Sequence, residues 1–242
     1  MPCFYVPQLQ NDSRQVMISG AEHHHIVHVF RCQAGDEIVL TSGDGILATA
    51  VISEINKKHL LVDVIQITQP QRSMPEISVA LPLLKNKHDN LIIEKLTELG
   101  VKRFYPITTE RTVRKANDNI IGKFEKVAIA AIKQCDNAYL PEISEIYSLE
   151  KLVQNLPEDV TPVAALEVGK HQLINQVVGS QESACIIIGP EGGFSPDEIA
   201  FMKQNEVKTI SLGNHILRAE TAAITAVSQL LTVYLADNPE YY

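Results

Sequence analysis

Apolar positions in the first seventy residues fall into short β-branched runs broken by turn residues. Glu37 to Leu40 and Ile46 to Ile55 predict strands, separated by Thr41-Ser42-Gly43-Asp44-Gly45, a strong turn signal. Asn56-Lys57-Lys58 turns the chain into a further run, His59 to Ile67. Short strands at this spacing predict a small β-barrel. Gln69 to Pro75 holds two prolines and no periodicity, so it reads as a linker between a domain at 1–72 and another at 73–242.

From Glu76 the pattern becomes an alternation of strands and helices. Ile77 to Leu84 predicts a strand. Leu91, Ile92, Leu96 and Leu99 then recur at helical spacing until Gly100. Val101 to Ile107 predicts the next strand, and Ile120, Phe124, Val127, Ala128, Ala131 and Ile132 mark a second amphipathic helix. Val163 to Leu166, Ala184 to Ile188 and Thr209 to Leu212 predict three more short strands. The last helix, from about Ala219 to Leu235, is apolar on more than one side, as a buried or subunit-interface helix would be. Such alternation predicts an α/β fold with a mostly parallel sheet and covering helices.

Composition adds little to this picture, but the placement of charge adds more. The chain has 242 residues, 45% hydrophobic and 21% charged, with a net charge of −8. No apolar run reaches the roughly 18 residues that span a bilayer, and the N-terminus lacks the features of a signal peptide. Cys3, Cys32, Cys135 and Cys185 are scattered without a paired motif, which predicts reduced thiols and a cytoplasmic setting. Residues 85–133 carry eleven Lys and Arg against six Asp and Glu, whereas 134–242 carry five against fifteen. The basic middle reads as solvated helix faces or as a local phosphate-binding face. His24 and His28 could meet on one helical turn. With no acidic or thiolate co-ligands evident, no metal site is expected.

Two stretches carry candidate chemistry. In the first, the strand Ala184 to Ile188 runs into Gly189-Pro190-Glu191-Gly192-Gly193-Phe194. Ser195 then predicts an N-cap, with Pro196 at the first helical position and Glu198 completing a capping box. Phe194 and Ile199 stand where a hydrophobic staple would sit. This is neither a P-loop nor a dinucleotide fingerprint, and Glu191 would repel a phosphate. A ligand bearing amine, hydroxyl or positive groups suits it better, and S-adenosylmethionine carries all three. The second stretch, Leu212-Gly213-Asn214-His215-Ile216-Leu217-Arg218-Ala219-Glu220-Thr221-Ala222, also follows a strand and precedes a helix. Two such loops at neighbouring strand ends would build one cleft.

Together, these two stretches resemble the RsmE family, 16S rRNA uridine-N3 methyltransferases of the SPOUT superfamily. Lys95-Leu96-Thr97-Glu98-Leu99-Gly100-Val101 and Glu110-Arg111-Thr112-Val113 add to the match. Near the N-terminus, His25-Ile26-Val27-His28-Val29-Phe30-Arg31 with Gly35-Asp36 resembles the family's PUA-like domain. The resemblance implies an N-terminal PUA-like β-barrel that binds RNA and a C-terminal SPOUT methyltransferase domain tied in a trefoil knot. It also implies a homodimer with the last helix at its interface. S-adenosylmethionine is then expected against Leu166, Glu167, Gly189, Pro190, Glu191, Gly192, Gly193, Leu212, Gly213, Ile216, Leu217, Arg218, Thr221 and Ala222. Arg218 is expected to act on the uracil with Glu220 positioning it, and Arg31, Lys85, Arg111 and Arg114 to meet 16S rRNA phosphates in the small ribosomal subunit. One segment departs from the family's usual Glu-Gln-Ser/Cys-Gly-Arg: here it reads Lys133-Gln134-Cys135-Asp136-Asn137, followed by Pro141. A knotted methylase acting on another rRNA or tRNA position, or a non-catalytic RNA-binding assembly protein, remain the alternatives.

Overall fold

A computed structural model describes residues 1–85, 88–115, 119–167 and 172–237. The chain divides into two compact units, one of 1–72 with 129–140, the other of 73–128 with 141–242.

The first unit is a five-stranded sheet in the order β1-β3-β4-β5-β2. Its strands are β1 (Cys3–Tyr5), β2 (Gln15–Ser19), β3 (Glu37–Thr41), β4 (Leu47–Ile55) and β5 (His59–Thr68). Only β1 and β3 pair parallel; the other ladders are antiparallel. Alternation drives the packing. On β2, Val16 and Ile18 point inward while Gln15, Met17 and Ser19 face out. On β4, Ala48, Ala50 and Ile52 fill the core beside Phe4, Leu40, Leu60 and Val62. Two irregularities between β4 and β5 bend the sheet around that core. The short helix α1 (Gly20–His24) runs into a wider turn, His25–Val29, that buries Ile26 against the same core.

The second unit is built on a seven-stranded parallel sheet, ordered β12-β10-β11-β6-β7-β8, with β9 also pairing on β7. Its central strands are β6 (Ile77–Pro82), β7 (Arg103–Thr108), β10 (Val160–Ala165), β11 (Ser183–Ile187) and β12 (Lys208–Ile210); β8 (Glu142–Ile143) and β9 (Tyr147–Ser148) are short. All six residues of β6 are buried, as a strand covered on both faces requires. Each Ile, Leu or Val so buried contributes about 1.5–3 kcal/mol. The helices are α2 (His88–Glu98), α4 (Leu149–Asn155), α5 (Pro196–Gln204) and α6 (Ala219–Asp237), while α3 (Ile120–Gln134) belongs to this unit up to residue 128 and to the first unit from residue 129. The sequence reading missed β8, β9 and α4, whose segments are short and weakly periodic.

Helix α6 is long and apolar enough to cross a bilayer by length and composition. One of its faces is buried: Ala223, Ala226, Val227, Leu230 and Tyr234 recur at helical spacing and are covered. Its neighbours are α2, β6 and β11. Tyr234 donates its hydroxyl to the Glu182 carbonyl at 2.5 Å, which satisfies the one polar atom that this face buries.

Candidate functional site

The parallel register brings three strand ends side by side. Ala164 pairs with Ile187 and Ala165 with Ile210, so β12, β10 and β11 finish together, with β6 next to β11. Beyond these carboxyl ends lies a cleft of about 660 Å³, lined by 165–167, 188–194 and 211–220, with Ala222, Ile199, Lys85, His88 and Arg111. Both stretches singled out in the sequence therefore meet at one site, as open parallel sheets favour.

The first loop is held from several directions. Ser195 caps α5: its hydroxyl accepts from the Glu198 N–H at 3.2 Å, while Glu198 accepts from the Ser195 N–H at 2.8 Å. The predicted capping box is thus present. The other Glu198 oxygen accepts from the Glu110 N–H at 2.8 Å, so one buried carboxylate ties the loop to the turn after β7. That turn is closed by Thr109 and Thr112, whose hydroxyl accepts from the Thr109 N–H at 2.9 Å. Arg111 reaches back to the Gly192 carbonyl at 2.8 Å. These bonds give Glu110-Arg111-Thr112 a mechanical role that the sequence reading lacked. A Cβ on Gly189 would lie 3.1 Å from the Phe194 ring, so this glycine lets the ring pack beneath the loop. Gly193 is needed for its backbone, with φ at +66°. Glu191 turns to accept the Lys85 N–H at 3.1 Å, tying the segment that follows β6 to the same loop.

The second loop is far more open. Gly213 has φ at +150°, Ile216 is 79% exposed, and Arg218 is exposed while lining the cleft. Thr221, expected at the cofactor, is exposed on α6 and does not line the cleft. Glu220 does not position Arg218. Residues two apart at the start of a helix point in different directions, and Glu220 instead accepts from His88 Nδ1 at 3.1 Å. The His88 and Glu220 side chains are 38% and 14% exposed. His88, the first residue of α2, is a cleft residue that the sequence reading did not single out, because it stands inside a basic run with no motif around it.

The expected RNA contacts separate into two kinds. Lys85 and Arg111 are exposed and line the cleft, and Arg31 is exposed on the first unit with φ at +58°. Arg114 is different: it is engaged with the fully buried Asp89 and donates to the Leu84 carbonyl at 3.1 Å. Burial pushes the Asp89 carboxyl above its usual range, and the Arg114 charge pulls the other way. Arg114 therefore compensates a buried charge and is not free to bind phosphate.

The segment that departs from the family pattern is used within the first unit. Lys133 pairs with Glu22 at 2.8 Å, and the Asn137 carbonyl accepts from Thr41 Oγ1 at 2.9 Å. Asp136 stands where the pattern has Gly, and it takes the left-handed backbone, φ +52°, that Gly adopts freely and Asp tolerates. His24 and His28 do meet, with ring centroids 4.9 Å apart. Among the described residues no group of three His, Cys, Asp or Glu could hold a metal ion. None of Cys3, Cys32, Cys135 and Cys185 is joined in a disulfide, and burial pushes the Cys3 and Cys185 thiols up to about 12.

The fold and this cleft define an RNA methyltransferase. Residues 71–231 match the RNA methyltransferase domain family, and residues 18–65 match the RNA methyltransferase PUA domain. More narrowly, the chain belongs to the family of ribosomal RNA small subunit methyltransferase E. It is 32% identical over 225 residues to the Bacillus subtilis enzyme of that name, covering 88% of each chain. The Mycobacterium tuberculosis enzyme is 28% identical over 232 residues, covering 93% of this chain and 88% of that one. A Legionella pneumophila methyltransferase solved with the cofactor SAM is 28% identical, with a TM-score of 0.87 over 95% of this chain and 96% of that one. The fold is shared with ribosomal RNA small subunit methyltransferase E of Neisseria gonorrhoeae, at 21% identity and a TM-score of 0.90 over 97% and 98% of the two chains.

Proposed function

We propose that this chain transfers the methyl group of S-adenosylmethionine to N3 of a uridine in the 16S RNA of the small ribosomal subunit. What carries the reading is the meeting of two glycine-bearing loops, one after β11 and one after β12 with β10 between them, in a chain of this family.

The cleft suits the methyl donor. Its volume of about 660 Å³ falls inside the roughly 300–1,000 Å³ of small-molecule sites. Leu166, Ile188, Leu212 and Leu217 offer apolar walls for an adenine ring. The loop at Gly189, Gly192 and Gly193 exposes main chain that side chains would otherwise cover. Glu167 and Glu191 supply negative charge for the ammonium and sulfonium. When bound, the donor offers an electrophilic methyl carbon on a positively charged sulfur.

The chain's own residues have two tasks. The walls hold the base in line with the methyl carbon, which removes most of the entropic barrier to a bimolecular step. Arg218, exposed in the cleft, stabilises the uracil anion left when N3 loses its proton. Lys85, Arg111 and Arg31 take RNA phosphates, so binding weakens steeply with salt. The working form is a cytoplasmic homodimer with α6 at the interface, and the second unit is knotted. Calorimetry with S-adenosylmethionine tests the reading: saturable one-to-one binding, weakened by Gly192→Val, is expected. No heat of binding would point to an assembly protein that keeps the cleft only as structure.

A further inference from the structure

The reaction proposed above requires that the uracil N3–H lose its proton, and the cleft holds a group built to take it. We propose that His88 is the general base for that proton and that Glu220 is its positioning residue. The inference rests on the uracil-N3 reading, and its test keeps the two separable.

The hydrogen bond decides which nitrogen is available. An ionised carboxylate only accepts, so the 3.1 Å contact between His88 Nδ1 and Glu220 Oε1 places the proton on Nδ1. In the neutral imidazole, Nε2 then carries the lone pair. The two groups come from different elements, the first turn of α2 and the first turn of α6, which pack against each other in the same unit. A long sequence separation with direct side-chain contact on the wall of the cleft is the geometry of a base and its orienter. The other titratable groups there are less suited. Glu191 is engaged by the Lys85 N–H, and Glu167 and His215 are exposed. A carboxylate is also a weaker base toward a uracil N–H than an imidazole is. Among the described residues His88 is the cleft imidazole that has a carboxylate partner.

The step balances without a further reactant. The N3–H bond breaks and its proton passes to His88 Nε2, giving an imidazolium paired with Glu220. The N3 electron pair forms the new bond to the methyl carbon. The carbon–sulfur bond breaks with its electrons staying on sulfur, so the product is a neutral thioether, and the imidazolium then returns its proton to water. Arg218 balances the charge on the uracil while the proton is leaving. Glu220 stabilises the imidazolium, much as a carboxylate does for a catalytic histidine elsewhere.

Two measurements test this on the full chain. Nitrogen-15 shifts of His88, assigned by their loss in His88→Gln, should show a protonated Nδ1 and a bare Nε2, with the preference relaxed in Glu220→Gln. A protonated Nε2 in the wild type overturns the proposal without any assay of activity. For turnover, His88→Gln should lose about 10²-fold or more on uridine RNA, with affinity for S-adenosylhomocysteine unchanged. The loss should shrink on RNA carrying 5-fluorouridine, whose N3–H is more acidic and needs a base less. Turnover within threefold of wild type, or an equal loss on both RNAs, overturns the assignment. Mapping the wild-type product reads the underlying function independently. A methyl group away from N3 refutes that function and this proposal with it, whereas N3 methylation with an unaffected His88→Gln refutes this proposal alone.

Discussion

The two loops of the cleft begin alike, each leaving a strand of the parallel sheet for a helix, yet they are built in opposite ways. The loop at 189–195 is tied at both ends: Glu198 bonds Ser195 and Glu110, Arg111 bonds Gly192, and Phe194 fills the space under Gly189. The loop at 211–218 presents Ile216 and Arg218 to solvent. One is a floor bonded to its surroundings, and the other a wall open to solvent. The open loop carries the residue assigned to the chemistry, which suits a group that must meet a large substrate.

If this contrast holds, substitutions on the wall change catalysis and those on the floor change stability. Arg218→Ala should show the largest effect, a 10²–10³-fold loss of turnover, as for removal of one preorganised anion-stabilising donor. Affinity for the cofactor should change far less, and equal turnover in the two proteins would end the assignment. Arg114→Ala, outside both loops, serves as a reference. Leaving Asp89 buried without its partner should cost about 3 kcal/mol in urea unfolding at pH 7. The folded-state pKa of Asp89 is already raised by burial, and loss of Arg114 raises it further. The penalty belongs to the ionised form, so it should be smaller at pH 5 than at pH 7.

Glu198→Ala removes the cap and the Glu110 anchor together, and should cost about 2 kcal/mol. Cofactor affinity should fall with it as the floor loosens; an unchanged melting temperature would show that the floor is not held as described. Gly189→Ala should be milder, about 1 kcal/mol, because a Phe194 ring 3.1 Å from the new Cβ must shift by tenths of an ångström. The smallest stability effect is expected for Ile216→Ser. At 79% exposure it should stay within about 0.5 kcal/mol of wild type, while weakening the cofactor several-fold. A large stability loss there would contradict the picture of an open wall.

Much of this was legible in the sequence because it was encoded locally. The capping box at Ser195 and Glu198 shows in three residues' spacing, and β11 shows in a short β-branched run. Strand–helix alternation announced the parallel sheet, and two loops of the same kind announced one cleft. What escaped depends on pairing across long separations. His88 meets Glu220 across 132 positions, Glu198 holds Glu110 across 88, and Arg114 answers Asp89 across 25. No local pattern marks any of them. Arg114 reads in the sequence like the phosphate-binding cations, because charge is visible there and burial of its partner is not. The expected link between Arg218 and Glu220 failed for a related reason, since closeness in sequence at a helix start does not bring side chains together.

Mass mapping of small-subunit RNA tests methylation of a uracil N3 from this cleft most directly. RNA from cells lacking the gene should lack one 3-methyluridine in 16S RNA, restored by the wild-type chain and not by Arg218→Ala. An unchanged 3-methyluridine, or a missing methyl group on another base or a ribose, would contradict it.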